Sequence, residues 1–64
     1  MFVCRLRNGK VMDFANRCTT VEFLEEIKSI GFVKKLKNGR ELLLAIVPVD
    51  QIEYVVNILN KDIQ

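Results

Sequence analysis

The sequence predicts an α+β domain of two ββα repeats, forming a four-stranded antiparallel sheet with two helices packed on one face. Three observations predict it. The chain matches itself at a shift of 30 residues, and Asn-Gly occurs twice between alternating segments. Each half then continues into a capping-type start followed by apolar residues at helical spacing.

The repeat aligns Phe2-Val3 with Phe32-Val33 and Leu6-Arg7-Asn8-Gly9-Lys10 with Leu36-Lys37-Asn38-Gly39-Arg40. Ala15 falls on Ala45. With one inserted residue, Val21-Glu22-Phe23-Leu24 then falls on Ile52-Glu53-Tyr54-Val55. The 64 residues make one domain, with internal repeats 1–31 and 32–64. Neither half has enough chain to bury a core alone.

Asn8-Gly9 and Asn38-Gly39 read as hairpin turns, because a type I′ turn needs positive φ at both central residues. Such a two-residue loop sets Leu6 against Val11, Cys4 against Asp13 and Val3 against Phe14. In the second hairpin it sets Leu36 against Glu41 and Val33 against Leu44. Thr19 reads as the N-cap of the first helix, with Glu22 at the third helical position and Gly31 beyond the end. Val21, Leu24, Ile27 and Ile30 would form its apolar stripe. Asp50 and Glu53 start the second helix in the same way, after Pro48 closes a strand. Its stripe would be Ile52, Val55, Val56, Leu59 and Ile63.

Helices on one face of the sheet leave the other face open. That face carries Met12, Phe14, Leu42, Leu44 and Ile46 near the strand bases, and these residues are the expected oligomer interface. The run Leu42 to Val47 does not alternate, which implies cover on both sides. An apolar patch rimmed by polar groups marks an interaction site. A C2 homodimer packed through the sheets is the expected assembly.

Charge is sorted by element. Residues 1–17 hold four cations against Asp13, and residues 32–49 hold four against Glu41, +3 each. Residues 18–31 and 50–64 each hold three acids against one lysine, −2 each, so the formal net charge is only +2. Arg5, Arg7, Lys10, Lys35, Lys37 and Arg40 all project from the open face in this reading. They are the expected partner-binding residues, suited to an acidic protein target, or alternatively to the phosphates of a nucleic acid. Phe14 alone among the aromatics shares their face, so there is no stacking platform for bases.

The composition argues against an enzyme. There is no histidine to move protons near neutral pH, and Ser29 is the only serine. Cys4 and Cys18 have no base beside them in sequence and are too few for a zinc site. Cys4 falls mid-strand on an apolar face, where a buried thiol is expected. Cys18 falls just before the first expected helix. Asp13 is the one acid expected on an apolar face, within reach of Lys34. No phosphate-binding glycine loop is present. No metal, cofactor or small-molecule substrate is implied.

No apolar run approaches the length of a membrane span, and the N-terminus lacks the pattern of a signal peptide. A cytoplasmic location with reduced thiols is the expectation. Residue usage rich in Ile, Lys and Asn suits a low-GC bacterium or one of its phages. The function expected from all this is a small non-enzymatic regulator or inhibitor, docking a basic hairpin face on an acidic protein.

Overall fold

Strands stand where both helices were expected. The structure, a computed structural model, describes residues 1–57. Its elements are β1 (Phe2–Leu6), β2 (Val11–Asp13), β3 (Thr20–Leu24), β4 (Ser29–Lys35), β5 (Glu41–Pro48) and β6 (Ile52–Asn57). Single 3₁₀ turns at Glu25–Ile27 and Val49–Gln51 are the only helical segments among the described residues. The strands form two three-stranded antiparallel sheets, ordered β2-β1-β6 and β3-β4-β5. The α+β fold with two helices on a four-stranded sheet is therefore corrected to an all-β fold.

The physical reason lies in short segments whose patterns fit both periods. Val21, Leu24, Ile27 and Ile30 recur at threes, but Val21 and Phe23 also alternate with Glu22. β-Branched and aromatic residues dominate Thr20–Phe23 and Ile52–Val56, and they favour a pleated strand. A helix of about ten residues is marginal in water without strong packing. Thr19 caps nothing. Its backbone N–H donates to the Val33 carbonyl (2.8 Å), and its Oγ1 accepts the Lys35 N–H (2.8 Å). Gly31 ends no helix either. It sits mid-β4 opposite Glu22, where an added Cβ would lie 3.3 Å from Leu24 Cδ1 and 3.4 Å from Leu43 Cδ1. The chain reverses instead at Lys28, which takes the left-handed conformation at φ 48°. Asp50 lies inside the second 3₁₀ turn, whose N-cap position is Pro48 and which has no side-chain cap. Leu59 and Ile63 of the second expected stripe lie outside the described residues.

Both Asn-Gly hairpins form, with a different turn. Gly9 (φ 91°) and Gly39 (φ 90°) are left-handed, but neither asparagine has positive φ. Gly9 N–H donates to the Leu6 carbonyl (3.0 Å) and Leu6 N–H to the Lys10 carbonyl (2.8 Å). Gly39 and Leu36 repeat the pattern at 3.1 and 2.8 Å. These are three-residue loops, a β-turn followed by a left-handed glycine. Each asparagine Oδ1 accepts a backbone N–H two residues on, from Lys10 at 2.8 Å and from Arg40 at 3.0 Å.

The extra loop residue slips the register by one. Cys4 faces Met12 rather than Asp13, and Lys35 faces Glu41 rather than Leu42. A one-residue slip exchanges the faces of the shifted strand. A β-bulge then resets the second hairpin. Val33 pairs with Leu43 but Phe32 with Ala45, so Leu44 is the unpaired extra residue. This bulge is why Leu42 to Val47 fails to alternate. Ala45 and Val47 share the inner face with Phe32 and Ile30, while Leu43 and Ile46 share the outer face with Val33 and Gly31.

The core lies where side chains of the two sheets meet. Cys4, Phe14, Cys18, Phe32 and Val47 are its buried centre, with Phe2, Leu6, Ile52 and Val55 among the residues packed around it. Phe14 stacks on Phe32 with ring centroids 4.5 Å apart and planes 20° apart. Burying such a side chain is worth about 1.5–3 kcal/mol. The loop from β2 to β3 delivers Phe14 and Cys18 to this core. Asp13 Oδ1 accepts the Ala15 N–H (2.8 Å) and supports Ala15 at φ 53°. Asp13 is exposed and acts as a turn residue, not as a buried acid opposite Cys4.

Each half of the chain supplies a hairpin and a third strand, and the third strands cross over. β6 joins the first hairpin, and β3 joins the second. Replacing β1, β2 and β6 by β4, β5 and β3 converts one sheet order into the other.

Candidate functional site

The six basic residues do not share one sheet. Arg5, Arg7 and Lys10 belong to the first hairpin, and Lys35, Lys37 and Arg40 to the second, so they fall in different sheets. The two sets also differ in their surroundings. Arg5 Nε donates to Glu53 Oε1 at 2.9 Å, across the β1–β6 pair. Arg7 Nε donates to the Asp50 carbonyl (3.1 Å), and its backbone N–H to the Gln51 carbonyl (2.9 Å). β6 and the turn before it thus occupy two of the three cations of the first hairpin.

The second hairpin keeps its charge. Lys34, Lys35, Lys37 and Arg40 stand against Glu41 alone. No side-chain partner holds Lys37 or Arg40 among the described residues. Directly behind this tip, Leu42 (49%) and Leu43 (55%) are exposed. They project to opposite faces, Leu42 beside Lys34 and Leu43 beside Val33. A cationic tip backed by uncovered leucines attracts an acidic surface at long range and buries apolar area on contact.

Of the expected oligomer interface, Phe14 is only 6% exposed and lies in the core. Met12 and Leu44 pack against that core. Leu42 and Ile46 (46%) remain exposed. The slipped register and the bulge separate these five residues between interior and surface.

A second feature escaped the sequence reading. At the other end of the β3-β4-β5 sheet, an open groove of ≈ 510 Å³ is lined by Phe23, Ile27, Pro48 and Val49, with Glu25, Lys28 and Asp50. Phe23 (58%) and Ile27 (57%) are among the most exposed apolar residues described. Val49 N–H donates to the Lys28 carbonyl (3.0 Å) and ties the two sides of the groove together. A second groove of ≈ 450 Å³ is lined by Phe23, Leu24, Glu25, Glu26 and Ile27. Glu25, Glu26 and Asp50 outnumber Lys28 and Arg7, whose Nε donates to the Asp50 carbonyl, so this end of the sheet carries a small acidic excess. The signal in the sequence was Phe23, an aromatic off the stripe of the expected helix.

The cysteines and Ser29 present no reactive constellation. Cys4 is fully buried and free, and burial pushes its thiol pKa up. Cys18 is also free, and its Sγ donates to the Thr20 carbonyl (3.2 Å). The buried Ser29 hydroxyl donates to the Ile27 carbonyl (3.0 Å). Among the described residues, no three metal-ligating side chains gather in one place. No helix among them is long and apolar enough to cross a membrane. No family model, curated protein or solved structure matches the chain.

Proposed function

We propose that this chain is a non-enzymatic binding protein, a small regulator or inhibitor that docks its β4–β5 hairpin on an acidic protein surface. One observation carries the reading: the hairpin's charge is unspent and sits beside exposed leucines. Lys37 and Arg40 supply steering and rim contacts, and Leu42 and Leu43 supply the apolar area. The first hairpin contributes less, because Arg5 and Arg7 are engaged within the chain. The free thiols of Cys4 and Cys18 support a reducing compartment such as the cytoplasm.

Titrations at low and physiological salt test this, using an acidic peptide rich in Glu and Leu, duplex DNA, and single-stranded RNA. The peptide is expected to bind, and the Lys37→Glu, Arg40→Glu double variant to lose that binding while keeping its fold. Binding that survives the reversal overturns the assignment of the hairpin. Nucleic-acid binding that falls steeply with salt, in proportion to phosphates contacted, overturns the protein target in favour of a phosphate binder.

A further inference from the structure

One sheet carries two complementary ends. The β4–β5 hairpin presents Lys35, Lys37 and Arg40 beside the exposed Leu42 and Leu43. The far end presents an apolar groove between Phe23, Ile27 and Val49, with Glu25 and Asp50 against Lys28 at its margin and Glu26 in the adjoining groove. β4 separates them by six residue steps, from Lys35 to Ser29, which is about 20 Å. Within one molecule the two ends lie too far apart to meet.

We propose that the groove of one copy receives the basic hairpin of a second copy, and that the exchange is reciprocal about a twofold axis. The inference rests on the docking role proposed for that hairpin and names one acidic surface it fits. Antiparallel alignment of the two β3-β4-β5 sheets sets each basic tip over the partner's acidic end. Both contacts then form at once, which closes the assembly as a C2 dimer. Leu42, which strand register places on the same side of the sheet as Phe23, meets Phe23, Ile27 and Val49, all exposed in the single chain. A standard interface removes about 800 Å² per partner, about a sixth of the 4842 Å² surface. A 64-residue core gains from such added burial. An acidic target competes for the same hairpin, so target binding and self-association exclude each other.

Sedimentation velocity on the full chain tests the arrangement with two charge-reversed variants. Lys37→Glu, Arg40→Glu sets an acidic tip against an acidic groove, and Glu25→Lys, Glu26→Lys sets a basic tip against a basic groove. The wild type is expected to be a dimer at micromolar concentration and low salt. Each variant alone should dissociate at least about tenfold more readily, because like charges then face each other. Mixed together, the two variants should recover dimerisation, since both contacts of the mixed pair again join opposite charges. Mutual rescue also shows that each variant is folded. A monomeric wild type overturns the proposal, as does a variant that still dimerises or a mixture that stays monomeric. If the chain is monomeric and the tip variant still loses the acidic peptide, self-docking fails while the docking role of the hairpin stands.

Discussion

Replacing Phe14 by leucine separates two accounts of this residue. On an open sheet face, Phe14 would support association and contribute little to folding. In the structure it is 6% exposed and stacked on Phe32 at 4.5 Å. Leucine keeps most of the apolar volume but loses the ring stack. A volume-conserving core exchange costs up to about 1.5 kcal/mol, and an aromatic pair is worth about 0.5–1.5 kcal/mol beyond its area. A loss of about 1–2 kcal/mol follows. At about 0.05–0.15 kcal/mol per residue, the chain has roughly 3–10 kcal/mol in total, so the loss is a large fraction of it. In a domain this small, each kcal/mol moves Tm by about 4–8 °C, so Tm should fall by about 5–15 °C. Thermal and urea unfolding followed by far-UV circular dichroism measure it. A cycle with Phe32→Leu should show a coupling of about 0.5–1.5 kcal/mol. A Tm within about 2 °C of wild type, with weakened self-association, refutes the placement of Phe14 in the core.

Three further outcomes are expected. Gly39→Ala should cost about 1–2 kcal/mol in urea unfolding, because an L-residue at φ 90° is strained although its Cβ meets nothing within 4 Å; substitution of the adjacent Asn38 by Asp should be nearly neutral, since the acceptor for the Arg40 N–H is kept. Thr19→Val should cost about 1 kcal/mol, because Thr19 Oγ1 links the β2–β3 loop to β4 through Val33 and Lys35; an unchanged midpoint would remove that role. Cys4 should resist alkylation in the native chain and react on unfolding. Its thiol pKa is raised by burial, so the folded state holds the proton longer than the unfolded state. Stability should therefore be constant below the ordinary thiol range and fall as pH rises through it; a midpoint that rises with pH there would contradict the sign.

Local chemistry was legible and partner choice was not. The two Asn-Gly pairs mark both hairpins, and Gly9 and Gly39 take the positive φ that such turns need. Their loop length was not legible, because Asn-Gly serves a two-residue loop and a three-residue loop alike. One residue of difference moved Phe14, Met12 and Leu44 towards the core, with the bulge at Leu44 completing the change. The third element of each half failed for another reason. Thr19-Thr20-Val21-Glu22 satisfies a capping box and a strand start equally. What decides between them is whether Val33 and Lys35 offer backbone partners, which is a tertiary fact. Phe23 was visible as an aromatic off the helical stripe, but only the strand assignment puts it at the end of a sheet beside Val49.

The same turn motif has two fates because the third strands meet their hairpins in different registers. Arg5, Arg7 and Lys10 correspond by the repeat to Lys35, Lys37 and Arg40. In the first sheet, β6 pairs from Phe2 through to Leu6, and the turn before it reaches Arg7 through Gln51. Glu53 and the Asp50 carbonyl then arrive beside Arg5 and Arg7. In the second sheet, β3 begins opposite Val33, and contact with its hairpin ends where Thr19 accepts the Lys35 N–H. Nothing described reaches the side chains of Lys37 or Arg40. Near-equal sequences thus give one hairpin with two of its three cations, Arg5 and Arg7, engaged by the fold and one whose tip cations, Lys37 and Arg40, are not. The proposed docking role falls to the second hairpin because strand register, not composition, leaves Lys37 and Arg40 unpaired.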